Sequence, residues 1–162
     1  GYNYWYQMAD GARINVNTPT AFGCDAIKVS LGEYHSCMLA NAVRNLLCWG
    51  GNYYGQLGLD DRTTTHSEPN LIPNLVGVLD VGIGTHYTCF INSNNEIYCL
   101  GRNRYGQVPG CSSRKCSSPT KVPLSAGTTA KELAVGHFHL CVIDNDDDVQ
   151  CYGDNNDGEV NW

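Results

Sequence analysis

The most reactive side chains in this 162-residue chain are nine cysteines: Cys24, Cys37, Cys48, Cys89, Cys99, Cys111, Cys116, Cys141 and Cys151. Two chemistries compete for them. Oxidation would pair them, which suits an oxidising compartment; a reducing cytosol would more often use them as metal ligands. The densest metal-type pattern is His137, His139 and Cys141. At spacing i, i+2, i+4 these share one face of a strand, as a zinc or copper site would need. The equivalent positions of two related segments, Glu33/His35/Cys37 and Thr85/Tyr87/Cys89, do not keep the ligands. No metal site is expected. Asp144, Asp146, Asp147 and Asp148 could attract Ca²⁺. They lack the glycine and terminal Glu of an EF-hand loop, and read as a solvated turn. No Gly-x-Ser-x-Gly, Walker-type or His-Glu-x-x-His pattern is present. No set of nucleophile, base and orienting group emerges, so neither an enzyme nor a cofactor is expected.

Composition narrows the class. Ten Lys and Arg stand against 16 Asp and Glu, a formal charge of -6. That balance argues against a nucleic-acid binder. Charged residues are only 16%, with 18 Gly, 10 Tyr and 3 Trp. Such a composition favours β-sheet. No apolar run has the length of a membrane span. The sequence opens at Gly1 with no basic, apolar leader, which reads as a mature form or an internal fragment.

The elements that position these residues repeat. Segments 31–58, 83–110 and 135–160 align. Gly32, Gly84 and Gly136 are spaced by 52 residues, as are Cys37, Cys89 and Cys141. Cys48, Cys99 and Cys151 follow, then Asn52, Asn103 and Asn155. The opening GYNYWYQM aligns with GGNYYGQL: Gly1 with Gly50, Asn3 with Asn52, Gln7 with Gln56. Within each unit, an alternating strand (IKVSL, LDVGI, ELAV) precedes a two-strand hairpin (SCMLA to LLCWG, TCFI to IYCLG, LCVI to VQCYG). About four short strands per unit make one propeller blade. The units are drawn at 1–50, 51–101 and 102–153, with a tail, 154–162, homologous to the opening segment.

The pattern G-x-x-H-S-C-x-L…C-W-G-x-N-x-Y-G-Q-L-G is clearest from Gly32 and His35 through Cys37, Cys48, Trp49, Asn52 and Tyr54 to Gly58. It resembles the regulator of chromosome condensation repeat. The resemblance implies an all-β fold of propeller blades with four antiparallel strands. It also implies action through loops on protein partners. Asp157, Glu159 and Tyr152 depart from the pattern in the third unit, and Tyr6 departs in the opening segment.

In this frame Cys37 and Cys48, Cys89 and Cys99, and Cys141 and Cys151 occupy opposite arms of three hairpins. They are expected as cross-strand disulfides. Cys111 and Cys116 are expected as a local bridge. Cys24 is left over, either as an inert thiol or as a bond to another chain or a further segment. Tyr2, Tyr4, Trp5, Tyr6, Tyr53 and Trp162 are interface candidates. Trp5 or Tyr54 is expected to pack between blades, leaving Tyr4 and Tyr53 freer. Three blades are too few to close a ring. The series is therefore expected to continue in a longer polypeptide or in other copies, as a ring or a filament. Two functions follow. One is an extracellular or cell-surface module that binds a protein or glycan; the other is a structural subunit of an extracellular filament.

Overall fold

The computed structural model describes residues 1–19, 21, 25–61 and 63–160. Cys24 and Trp162 lie outside the described residues. Eleven strands form three antiparallel sheets, and no helix occurs among the described residues. The first sheet holds β1 (Ala26–Leu31), β2 (His35–Ala40), β3 (Asn45–Gly51) and β4 (Thr65–Leu71) in that order. The second holds β5 (Asp80–Ile83), β6 (Tyr87–Ile91), β7 (Ile97–Arg102) and β8 (Lys115–Lys121). The third holds β9 (Ala130–Val135), β10 (His139–Asp144) and β11 (Val149–Gly153). These are propeller blades, not closed into a ring.

Turn chemistry sets the hairpins. Asn41 and Asn92 follow the second strands of their blades, and Asp144 ends the second strand of the third. Asn41 Oδ1 accepts from the Val43 amide (3.1 Å), and Asn92 Oδ1 from Asn94 and Glu96 (2.9 and 3.0 Å). Asp144 Oδ1 accepts from Asp146 and Asp148 (3.0 and 3.1 Å), and Gln150 Nε2 donates to Oδ2 at 2.7 Å. These side chains mimic a backbone turn and close the hairpin. Asp144 is buried. Burial pushes its carboxyl up, but donors led by Gln150 outweigh this and hold it below the usual carboxylate range. The acidic loop is therefore a hairpin cap followed by solvated carboxylates.

Packing runs from blade to blade. Cys37, Leu39, Leu46, Cys48, Leu57 and Ile72 of the first blade pack on Val81, Ile83, Phe90 and Leu100 of the second. Tyr87, Cys89, Ile91, Ile97, Cys99 and Val108 of the second pack on Leu133, Leu140 and Val142 of the third. Each fully buried aliphatic side chain here contributes about 1.5–3 kcal/mol. The repeated glycines permit the approach. A Cβ on Gly32 would lie 2.6 Å from Gly84 O, and one on Gly84 would lie 2.7 Å from Gly136 O. The turns after the first strands of neighbouring blades thus meet glycine against backbone.

The sheets are offset from the sequence units. β4 falls within 51–101 and β8 within 102–153, so each blade takes its fourth strand from the following unit. The unit boundaries follow the start of the chain, whereas the blades follow hydrogen bonding. The third sheet has three strands among the described residues. The opening segment shows the matching half. Gly1 and Val16 exchange both backbone hydrogen bonds. Gly50 pairs with His66 and Gly101 with Cys116 in the same register. Residues 1–19 thus have the arrangement of a third-to-fourth-strand connection.

Candidate interaction face

The cross-strand register brings the cysteines together. Cys37 lies opposite Cys48, Cys89 opposite Cys99 and Cys141 opposite Cys151. Each pair is bonded, with Cα atoms 4.1 Å apart. Cys111 is bonded to Cys116. The staples sit on the face that each blade turns toward the next. Those of the first two blades are fully buried, whereas Cys141 and Cys151 are half-buried.

Antiparallel connectivity places three first-to-second-strand turns and the third-to-fourth-strand loops at one end of the blades. The loops share one hydrogen-bond frame. Asn3, Asn52, Asn103 and Asn155 Oδ1 accept from the amides of Met8, Leu57, Val108 and Val160. Gln7, Gln56 and Gln107 Oε1 accept from the amides of Trp5, Tyr54 and Tyr105 at 2.9, 2.9 and 2.8 Å. In the last copy Glu159 does this, accepting from Asp157 N at 3.0 Å. The departure seen in the sequence keeps the loop's acceptor. Gly55, Gly106 and Gly158 have φ of 75°, 80° and 87° where Tyr6 has 64°. Tyr6 therefore holds a left-handed conformation that a bulky residue seldom adopts.

The frame aims one aromatic residue of each loop at the following blade. Trp5 meets Tyr34 edge-on (5.9 Å between centroids), Tyr54 meets His86 (4.9 Å) and Tyr105 meets Phe138 (5.2 Å). Tyr34 also stacks on His86 at 4.3 Å, interplanar angle 6°. With Tyr2, Tyr4 and Tyr53, the rings of Trp5, Tyr34, His86 and Tyr54 form a continuous row, and Tyr105 with Phe138 makes a separate pair. Tyr2, Tyr4 and Tyr53 are exposed, at 58%, 51% and 63%. Trp5, Tyr6 and Tyr54 are half-buried, with Arg13 over the Tyr6 ring at 4.8 Å. Sequence reasoning missed Tyr34, His86 and Phe138. Their signal was position: each stands two residues after Gly32, Gly84 or Gly136.

Beneath the row, His35 is fully buried. Its Nε2 lies 2.8 Å from Thr88 Oγ1 in the next blade, and that hydroxyl donates to Gln56 O at 2.8 Å. The hydroxyl proton is committed, so the network assigns the hydrogen to Nε2. Nδ1 has no partner. Burial, then the nearby His86, pushes the imidazole down to about 3. Burial, with Arg102 next, pushes His86 down to about 4. The unfolded chain takes up these protons near pH 6.5, so stability is complete above that value and is lost as pH falls toward 3. Lowering pH from 7 to 4 should cost about 3 kcal/mol through His35. Urea unfolding at the two pH values checks this, and His35→Gln should remove its share of the difference while that of His86 remains.

The metal-type pattern is dispersed. Cys141 is in a disulfide, His137 Nε2 lies 3.2 Å from Glu33 Oε2, and the His139 ring lies beside Gly136. Hydrogen bonds from Tyr34 and then His137 hold the Glu33 carboxyl below its usual range. Among the described residues no group of three or more His, Cys, Asp or Glu side chains is placed to hold a metal ion. A cleft of about 450 Å³ lies at the opposite end and is lined by Asn94–Ile97 and Lys121–Thr129. Its charged residues, Glu96 and Lys121, are paired with each other at 2.7 Å. A second cleft, about 360 Å³, lies at the aromatic end beside Tyr53 and Tyr54. We place the candidate site there, because size alone brings no unpaired polar chemistry.

Fold and face define an open array of disulfide-stapled propeller blades with an aromatic, loop-built face at one end. The sequence profile of the regulator of chromosome condensation (RCC1) repeat matches residues 45–91 and 94–143. A second RCC1-repeat profile matches 26–56, 78–107 and 130–159. The chain belongs to the RCC1-repeat family. It is 33% identical over 98 residues to the rat probable E3 ubiquitin-protein ligase HERC4, covering 59% of this chain and 9% of that protein. It is 30% identical over 143 residues to human probable E3 ubiquitin-protein ligase HERC6, covering 84% and 14%. The chain thus spans only a small part of these relatives. Among solved structures, human WBSCR16 superposes with TM-score 0.83 at 19% identity, covering 96% of this chain and 42% of that one. Yeast RCC1 (Prp20), solved bound to Kap60, gives 0.69 at 19% identity, covering 83% and 31%. The ectodomain of the Arabidopsis thaliana receptor kinase ACR4 gives 0.52 at 19% identity, covering 84% and 40%. RCC1 repeats are generally non-enzymatic protein-interaction domains.

Proposed function

We propose that this chain is an extracellular interaction module whose blade series continues beyond its own three sheets. One observation carries the location: three disulfides occupy the same place in three successive blades, with a fourth in a loop. Such a framework persists in an oxidising compartment. The ectodomain character of one structural neighbour supports the same location. The ligase activity named for the HERC relatives belongs to proteins of which this chain matches only a fraction.

Continuation of the series is supported by equivalent positions. Val81, Ile83 and Ile97 are buried at blade interfaces, at 2%, 7% and 1% exposure, whereas their counterparts Val29, Leu31 and Val149 are 52%, 71% and 51% exposed. Further blades, in a longer chain or in other copies, would cover this apolar surface. The deciding experiment blocks thiols at cell lysis and maps disulfides, while an impermeant biotin reagent labels intact source cells. Four bridges and labelling from outside are expected. Free thiols at Cys89 and Cys99, or labelling only after permeabilisation, would overturn the extracellular reading. The filament reading draws on the same open faces. A disulfide-linked ladder lost on Cys24→Ser would favour it.

A further inference from the structure

The cleft at the aromatic end sets two cations, Arg114 and Lys115, against one carboxylate, Asp61. Of the ten Lys and Arg in the chain, four are Arg102, Arg104, Arg114 and Lys115, all on one blade. Lys28, Lys121 and Lys131 are paired with Asp80, Glu96 and Asp147. The four cations make no ion pair among the described residues. Arg102 lies over the Tyr54 ring at 5.2 Å and Arg104 over Tyr105 at 5.5 Å. Lys115 Nζ donates to Tyr53 O at 2.9 Å. Arg114 and Lys115 line the cleft with Asn52, Tyr53, Tyr54, Asp61 and Thr64. Asp61 is the opposing carboxylate. It is engaged inside the chain, accepting from Asn52 Nδ2 (3.2 Å) and the Thr63 amide (3.1 Å), and it lies 3.1 Å from His66 Nε2.

We infer that this cleft binds a short acidic segment of a protein partner, with an aromatic side chain set against Tyr53 and Tyr54. The inference rests on the interaction-module reading and names the partner's chemistry. Guanidinium forks match carboxylates in bidentate fashion, and those laid on rings are already oriented. The exposed Tyr53 ring adds contact area at low entropic cost. The net charge of -6 selects against a long polyanion. Charges are screened beyond about 8 Å at physiological ionic strength, so a short acidic segment senses the local cations. A nucleic acid or sulfated glycan would run past them onto acidic surface.

The test uses a fluorescein-labelled peptide of Glu and Asp around one Tyr, its Gln/Asn counterpart, and a heparin oligosaccharide, followed by anisotropy. The acidic peptide should bind, weaken as salt is added, and outbind both comparators. Arg114→Gln with Lys115→Gln should weaken it about tenfold, a change typical of removing interfacial charges. Both residues are exposed and only the Lys115–Tyr53 hydrogen bond is lost, so the melting temperature of the double variant should stay within about 4 °C of the parent and the disulfide map should match. Equal binding of the Gln/Asn peptide, indifference to the double substitution, or tighter binding of heparin at the same residues would each overturn the proposal. Failure of peptide binding while intact cells still label from outside would remove this ligand and leave the location standing. Binding with labelling only after permeabilisation would do the reverse.

Discussion

Replacing Cys89 and Cys99 together by alanine should destabilise the protein by about 4–5 kcal/mol and lower the melting temperature on the order of 10 °C. Two effects add. The bond closes a loop of sequence separation 10, and releasing it restores about 3 kcal/mol of unfolded-chain entropy. Both sulfurs are also fully buried between the second and third blades, so their loss leaves a void that the packed sheets fill only in part. Cys141 and Cys151 provide the contrast. Their separation is also 10, but they are half-buried at the face beyond the third blade. Their double replacement should cost about 3 kcal/mol, the loop term with little cavity term. Chemical denaturation of both variants checks the ordering. Equal costs would mean that burial of the staple contributes nothing.

The second large effect is expected from one added methyl group. Gly84→Ala should cost roughly 3 kcal/mol or more, because the new Cβ would overlap the Tyr87 ring and lie 2.7 Å from Gly136 O. The carbonyl belongs to the neighbouring blade and cannot move without separating the sheets. Tyr87 is equally fixed, since its hydroxyl donates to His139 O at 2.5 Å and lies 3.1 Å from Gly136 O. Gly106→Ala is the control. Gly106 has φ 80° and nothing within 4 Å of an added Cβ, so only the left-handed backbone is penalised, by about 1–2 kcal/mol. Thermal unfolding of the two variants separates space from conformation. A Gly84→Ala protein as stable as Gly106→Ala would show that the blades do not meet as closely as described.

Much of the fold was legible because the repeat converts spacing into position. Once Cys37, Cys89 and Cys141 share a register, so do their partners across each hairpin, and three bonded pairs follow, with Cys111 and Cys116 paired by proximity in one loop. Less of the candidate site was legible. Tyr4 and Tyr53 stood out as aromatic residues in turn-rich loops. Tyr34, His86 and Phe138 did not, because a ring within a turn carries no signal until the loop of the preceding blade is laid over it. Arg102, Arg104, Arg114 and Lys115 are scattered in an acidic sequence, and the cleft that Arg114 and Lys115 share with Tyr53 exists only because two loops from adjacent blades lie side by side. Asp144 was masked by its neighbours. Three adjacent carboxylates are solvated, and the one that caps the hairpin differs from them in burial, not in residue type.

The sequence alone determined strand order, blade identity and staple partners, because these depend on local periodicity and on residues few positions apart along a hairpin. Tertiary structure decided the rest. It placed each fourth strand in the blade of the preceding unit, since hydrogen bonding ignores where a repeat is counted from. It separated the metal-type triplet, since Cys141 is held by Cys151 and His137 turns toward Glu33. It also gathered rings and cations from distant loops at one end of the array, because side chains converge through the stacking of blades and not through their order in the chain.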